Sequence, residues 1–148
     1  ADFNVSYLHF KDDTFGQNKT LLKSICNYLE QNRNIKGLEC VTRISVADDD
    51  MLETIKNAGC NRIKVGVETG SERLLKKMNK KLTYREVLNF SRRAKAHDIK
   101  WSPFLMIGFP DETESDIRKT LKLIEEARPD NVYLSIFTPY PGTSYFEY

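Results

Sequence analysis

The chain alternates short apolar runs with helix-patterned stretches, and every run ends in polar or backbone-special residues. The run ends read His9-Phe10-Lys11-Asp12-Asp13, Val41-Thr42-Arg43, Val67-Glu68-Thr69-Gly70, Ile107-Gly108-Phe109-Pro110 and Phe137-Thr138-Pro139-Tyr140-Pro141-Gly142-Thr143. A βαβα order leaves few choices, because strands joined by helical crossovers lie parallel with helices on their faces. Parallel α/β sheets carry their chemistry at the carboxyl ends of strands. The run ends are therefore expected to share one rim, with a small molecule bound there.

Strands are predicted at residues 5–10, 38–43, 62–68, 101–107 and 131–137. The third is the clearest: Ile63, Val65 and Val67 alternate with Lys64, Gly66 and Glu68. Its β-branched face suits packing under helices, and its other face suits a crowded or polar interior. Helices are predicted over 18–31, with Leu21, Leu22, Ile25 and Leu29 inward, and over 48–58, with Leu52 and Ile55 inward. Acidic residues in the second helix's first turn complement its dipole, and Gly59 suits the position just past its end. A short helix is predicted over 71–78. Thr83-Tyr84-Arg85-Glu86 has the capping-box pattern and opens a helix to about Ala96, with Val87, Phe90 and Ala94 inward. A last helix, capped by Thr113 or Ser115, should turn Ile117, Leu121 and Ile124 inward and end before Pro129. Pro103 lacks a donor, so it is expected near a strand start or at an irregularity. Two folds fit this order: part of a (β/α) barrel or an open doubly wound sheet.

The 148 residues suffice for about one domain and a substantial core, and no linker or low-complexity segment interrupts them. A net charge of +2 argues for neither nucleic acid nor a membrane surface as partner. No apolar run reaches the ~18 residues of a membrane span. No secretion signal is visible, and the cysteine count is odd, so a cytoplasmic protein with reduced thiols is expected. Cys26, Cys40 and Cys60 have neither metal-ligand spacing nor the look of a disulfide framework. They read as small buried apolar residues.

Phosphate-binding glycine loops, a serine nucleophile elbow and a zinc-protease helix motif are all missing. His9 reads as a strand residue and His97 as a dipole partner at a helix end. What remains is the set of strand ends. Asp12 and Asp13 suit an ammonium, a hydroxyl or a metal, or else serve as loop acids and caps. Glu68 ends the clearest strand beside Gly66 and Gly70. A carboxylate buried there is costly unless paired. It either accepts from a ligand's hydroxyls or pairs with Arg43 or Lys64. Arg43 suits bidentate contact with a carboxylate. The Gly108 and Pro139 segments permit close ligand approach or simply turn the chain. The aromatics Tyr133, Phe137, Tyr140, Tyr145, Phe146 and Tyr148 read mostly as core or as a cover for the barrel end.

Taken in order, Asp12-Asp13-Thr14-Phe15, Ala58-Gly59-Cys60, Gly66-Val67-Glu68-Thr69-Gly70-Ser71, Met106-Ile107-Gly108-Phe109-Pro110-Asp111-Glu112-Thr113 and Pro139-Tyr140-Pro141-Gly142-Thr143 resemble the radical S-adenosylmethionine (SAM) superfamily. The nearest resemblance is to the branch often fused to a cobalamin-binding domain, and it covers nearly the whole chain. It implies a partial (β/α)6 TIM-like barrel with a mostly parallel sheet, running from about the second strand to the sixth. Residues 1–148 are then a single piece of the radical SAM core domain. The family's C-x-x-x-C-x-x-C loop, which holds a [4Fe–4S] cluster, is missing from these residues. Cys26, Cys40 and Cys60 do not match it.

The resemblance further implies reductive cleavage of SAM at the cluster, giving a 5′-deoxyadenosyl radical that takes hydrogen from substrate. It implies a reductant such as flavodoxin or ferredoxin, and it makes cobalamin a possible further cofactor. By position, Asp12 and Asp13 match the segment that meets the methionine ammonium, and Glu68 the acceptor for the ribose hydroxyls. Lys80, and secondarily Arg43, match the partner of the SAM carboxylate. Gly108 and Thr138-Pro139 match segments lining the adenine. Asp111 stands where many relatives have glycine. The piece alone is expected to be inactive and to self-associate through the exposed edge of its first strand or through its aromatic C-terminus. The competing readings are another (β/α)-barrel enzyme of aldolase or isomerase type, and a non-catalytic binding module.

Overall fold

The computed structural model describes residues 5–32, 34–143 and 145–147. Tyr148 lies outside them. The elements follow one another as β1 (Tyr7–Phe10), α1 (Lys19–Gln31), β2 (Gly37–Thr42), α2 (Asp49–Asn57), β3 (Cys60–Glu68), α3 (Glu72–Lys77), α4 (Tyr84–Ala96), β4 (Lys100–Ile107), α5 (Glu114–Ala127) and β5 (Tyr133–Ile136). All four strand pairings are parallel and the sheet order is β1-β2-β3-β4-β5. Strands in strict chain order make a curled half-barrel, not a doubly wound sheet whose order reverses at a switch point.

The strand pattern produces two distinct faces. Leu38, Cys40, Ile63, Val65, Val67, Trp101 and Leu105 are buried with the helices, where Phe90 stands edge-on to Trp101 at 5.5 Å. The alternate residues His9, Glu39, Lys64 and Gly66 lie on the concave face. Period-two alternation in a single parallel layer gives this result once one face is apolar.

Side chains cap four helices, Thr83 and Thr113 as the sequence predicts. Asn18, Asp48, Thr83 and Thr113 each accept from a backbone N–H in the first turn. Thr83–Glu86 and Thr113–Asp116 are full capping boxes.

Two helix faces differ from expectation. In α1 the buried set is Leu22, Cys26 and Leu29, while Leu21 is exposed. In α5 Ile117 and Leu121 are 40% and 54% exposed, and the inward residues are Asp116, Thr120, Leu123 and Ala127. Ile124 packs against the core as expected, but hydropathy misplaces Ile117 and Leu121, because the polar pair Asp116 and Thr120 is drawn inward by hydrogen bonds to the loop after β3.

Pro103 also departs from expectation, sitting within β4 opposite Val65. Backbone groups of Trp101 and Ile107 point toward the β5 side, so Pro103 does too. The β4–β5 ladder begins only at Phe104–Tyr133, so the missing donor faces no partner strand.

Candidate active-site rim

Parallel pairing puts every strand's carboxyl end on the same edge. Asp12 and Asp13 after β1, Arg43 after β2, Glu68 closing β3, Gly108 after β4 and Pro139 after β5 therefore share one rim. No expected site residue lies at the opposite edge.

The most constrained residue on the rim is Glu68. Its φ is +69°, a conformation that L side chains rarely adopt. The β3–β4 register shifts between Gly66 and Glu68, and Thr69 N donates to Val67 O at 3.0 Å. Val67 is thus the extra residue of a bulge that re-aims the next side chain. Lys80, from the α3–α4 connection, donates to the Glu68 carboxylate. A Cβ at Gly66 would stand 2.8 Å from both Glu68 Oε1 and Lys80 Nζ, so the ion pair lies directly over that glycine. The sequence suggests Arg43 or Lys64 as Glu68's alternative partner. Neither fills that role: Lys64 is bound to Glu39 at 2.8 Å, and Arg43 is exposed. The structure joins two residues, Glu68 and Lys80, that the sequence places separately.

Behind the rim, Asp116 of α5 ties the β3–α3 turn to the β4–α5 turn. It is 1% exposed. Its Oδ1 accepts from Ser71 Oγ at 2.5 Å, and its Oδ2 accepts from Arg73 at 2.6 Å, Thr113 Oγ1 at 2.6 Å and Thr113 N at 3.0 Å. The Arg73 guanidinium, then Ser71 and Thr113, hold its carboxyl far below the usual carboxylate range. One turn along, Thr120 Oγ1 accepts from Gly70 N at 2.9 Å and bonds Thr69 Oγ1 at 3.0 Å. A Cβ at Gly70 would lie 2.5 Å from the Lys119 carbonyl oxygen, so only glycine allows this approach. Sequence reasoning missed Asp116, Thr120 and the tight packing of Gly70. The available signal was the Thr113-x-x-Asp116 capping pattern, which marks Asp116 as more than a surface acid.

The β4–α5 turn is equally specified. Gly108 has φ +80° and its N–H donates to Glu112 Oε2 at 2.6 Å. Asp111 adopts φ +65°, so the turn keeps the left-handed geometry that glycine would allow, and Lys77 pairs with its carboxylate. Arg73 also donates to the Asp111 carbonyl at 2.7 Å. Asp12 and Asp13 are exposed on a loop pinned by Phe15 N to Val41 O at 2.9 Å and Thr42 Oγ1 to Phe15 O at 2.6 Å.

Beyond β5, Phe137 and Tyr145 pack edge-on against Phe109, while Tyr140 and Phe146 are exposed. Of the C-terminal aromatics expected as core or cover, Phe137 and Tyr145 cover the β4–α5 turn, while Tyr140 and Phe146 do not join them.

Deeper on the concave face, Glu39 accepts from Lys64 at 2.8 Å and meets His9 Nδ1 at 2.9 Å, and Lys64 stands 4.9 Å from the Tyr133 ring centre. Burial acts to raise the Glu39 pKa, but Lys64, His9 and Arg62 outweigh it and the net shift is downward. Burial pushes the His9 imidazole below its ordinary value, against the pull of Glu39. The Glu39 carboxylate and the Lys64 ammonium neutralise one another beneath the rim.

The thiols do not fit an iron–sulfur cluster. Cys26, Cys40 and Cys60 are buried on the helix side of the sheet, away from the concave face. Burial pushes the Cys26 thiol up to about 11, and a bond with Cys60 together with burial raises Cys40 well above the ordinary thiol range. Cluster ligands are thiolates. Among the described residues no group of three His, Cys, Asp or Glu side chains is placed to hold a metal.

The fold and rim define a parallel (β/α) half-barrel that presents fixed carboxylate, ammonium and glycine groups at its strand ends. The model of the Radical SAM superfamily matches residues 7–124, most of this chain, and the chain belongs to that superfamily. The family uses SAM and a [4Fe–4S] cluster.

An uncharacterized methyltransferase of Pyrococcus horikoshii is 28% identical over 147 residues, covering 99% of this chain and 32% of that protein. A tRNA-2-methylthio-N(6)-dimethylallyladenosine synthase of Thermosipho africanus is 30% identical over 152 residues, covering 97% of this chain and 35% of that protein. The chain therefore spans about a third of the length of these relatives.

Among solved structures, the coproporphyrinogen III oxidase HemN of Escherichia coli superposes with a TM-score of 0.81 at 20% identity, over 93% of this chain and 33% of that one. The methyltransferase TsrM of Kitasatospora setae, solved with cobalamin and a [4Fe–4S] cluster, superposes with a TM-score of 0.76 at 17% identity, over 89% of this chain and 26% of that one. At these identities the likeness is one of fold.

Proposed function

We propose that this rim is the SAM-binding part of a radical SAM enzyme. The observation that carries the reading is the Glu68–Lys80 pair. It is held over Gly66 by a positive-φ residue at a bulge, on the same rim as Gly108 and the Asp12–Asp13 loop. Backbone strain of this kind costs roughly 1–3 kcal/mol and persists only where surrounding structure enforces it, typically at ligand clamps.

In this reading Glu68 accepts from the ribose hydroxyls. Lys80, with Arg43 as second candidate, meets the methionine carboxylate. Asp12 and Asp13 face the ammonium, and Gly108 and Pro139 leave room for the adenine. The lack of a Cβ at Gly66 and Gly108 suits close approach of a flat nucleoside. The Glu68–Lys80 pair satisfies both charges without ligand and offers a ligand one acceptor and one cation. The bound cofactor supplies the radical chemistry, and these residues hold and orient it. Three cysteine ligands for the cluster would have to come from outside the residues described, so this chain alone is expected to bind SAM without cleaving it. Methyl transfer and methylthiolation, the activities named for its relatives, are the reaction types to test first.

The test is SAM titration into the protein carrying this domain, reconstituted anaerobically. Glu68→Ala should weaken binding by about 1–3 kcal/mol, the scale of lost buried hydrogen bonds. Unchanged affinity would remove Glu68 from the site.

A further inference from the structure

The two turns that carry Glu68 and Gly108 come from separate strands, yet one side chain joins them. Asp116 reaches Ser71 with one oxygen and Thr113 and Arg73 with the other. Arg73 closes the loop by donating to the Asp111 carbonyl. Thr120 adds a second tie to the first turn through Gly70 N and Thr69 Oγ1. The backbone between Glu68 and Ser71 is thus fixed at each of its last three residues by bonds to α5 or to a neighbour α5 holds. Glu68, immediately before them, is the strained residue. A φ of +69° is retained only if its neighbours are held.

We infer that Asp116, supported by Thr120, is a positioning residue. It fixes the Glu68 turn and the Gly108 turn as one unit and so sets the distance between the ribose-facing and adenine-facing parts of the site. This rests on the SAM reading above. Asp116 itself lies behind both turns and is 1% exposed. The Asp12–Asp13 loop is pinned separately, through Phe15 to Val41 and Thr42 to Phe15, and among the described residues makes no bond to α5. The clamp therefore divides the site into an adenosyl half that depends on α5 and an ammonium-facing Asp12–Asp13 loop that does not, with Lys80 reaching the clamp only through its pair with Glu68.

That division gives a readout that loss of folding would not produce. The complete protein, reconstituted anaerobically with iron and sulfide, is titrated separately with 5′-methylthioadenosine and with methionine. Asp116→Asn and Thr120→Val are each compared with the parent, alongside far-UV circular dichroism and thermal midpoint. The expected result is a loss of methylthioadenosine affinity of about tenfold, with methionine affinity within about twofold and folding retained. Thr120→Val is nearly isosteric and carries the test if Asp116→Asn does not fold. Equal loss for both ligands, or no loss for methylthioadenosine, would overturn the inference. Glu68→Ala in the same assay separates the two claims. If Glu68→Ala leaves methylthioadenosine binding unchanged, the SAM reading fails. If it weakens binding while both α5 variants do not, only the clamp fails.

Discussion

At the scale of the residue, Gly66 and Glu68 show how little of a site's chemistry resides in side-chain identity alone. Glu68 was recognisable as a strand-end carboxylate. Its positive φ and its partner were not, because both depend on a bulge and on a lysine twelve residues away. Gly66→Ala would place a methyl 2.8 Å from both charged groups. Those groups are flexible side-chain ends, so stability should change little while SAM affinity falls by about 1 kcal/mol, the scale of one misplaced hydrogen bond. Calorimetric titration and thermal melts of the same variant check both halves of that statement.

Titration follows from the same residues. His9 is held below its ordinary 6.5, so the unfolded chain binds its proton first. Its contribution is complete above that pH and declines as pH falls through the folded value. Asp116 is held below its ordinary 3.8, so its contribution is present above that value and is lost on further acidification. Urea unfolding across pH 3–7 should show stability falling toward acid, with Asp116→Asn flattening the lowest limb. An unchanged limb would assign acid sensitivity to other carboxylates.

At the scale of the element, capping and alternation were the reliable signals. The Thr83–Glu86 box and the Ile63, Val65, Val67 alternation appear in the structure as read, because each is enforced by local bonds or by one buried face. Thr83→Ala should cost about 1 kcal/mol of stability by denaturant unfolding. Phe90→Ala should cost about 3–5 kcal/mol, since its ring is fully buried against Trp101. Helix faces were less legible. Ile117 and Leu121 are more apolar than Asp116 and Thr120, yet the polar pair faces inward because the neighbouring loop supplies its hydrogen bonds. Hydropathy cannot report a partner that is 45–50 residues away in sequence. The same limit hid the clamp.

At the scale of the whole molecule, the order of elements narrowed the fold to two parallel layouts, the family resemblance pointed to the half-barrel, and the chain-order sheet bears that out. The rim followed from that topology, and the family strings gave it a ligand class. The substrate did not follow, because nothing on the rim distinguishes the reactions named for the relatives. Among the described residues β1 and β5 each have one neighbour, and Leu134 and Ile136 of β5 are exposed, as are Ile117 and Leu121 of α5. Unpaired edges and apolar stripes of this kind pair with other chains. The 148-residue chain is therefore expected to self-associate at ~100 μM by light scattering, within the range where exposed edges aggregate. A monomer at that concentration would contradict this.

The central claim is that one adenosyl group contacts several strand ends at once. The most direct measurement is a map of backbone amide shifts in the isotopically labelled protein as SAM is added. Changes are predicted to be confined to the carboxyl-end rim: Asp12–Thr14, Arg43, Val67–Gly70, Lys80, Ile107–Phe109 and Thr138. Changes centred instead on the opposite edge, around Asn61, Lys100 and Asp130, would contradict it.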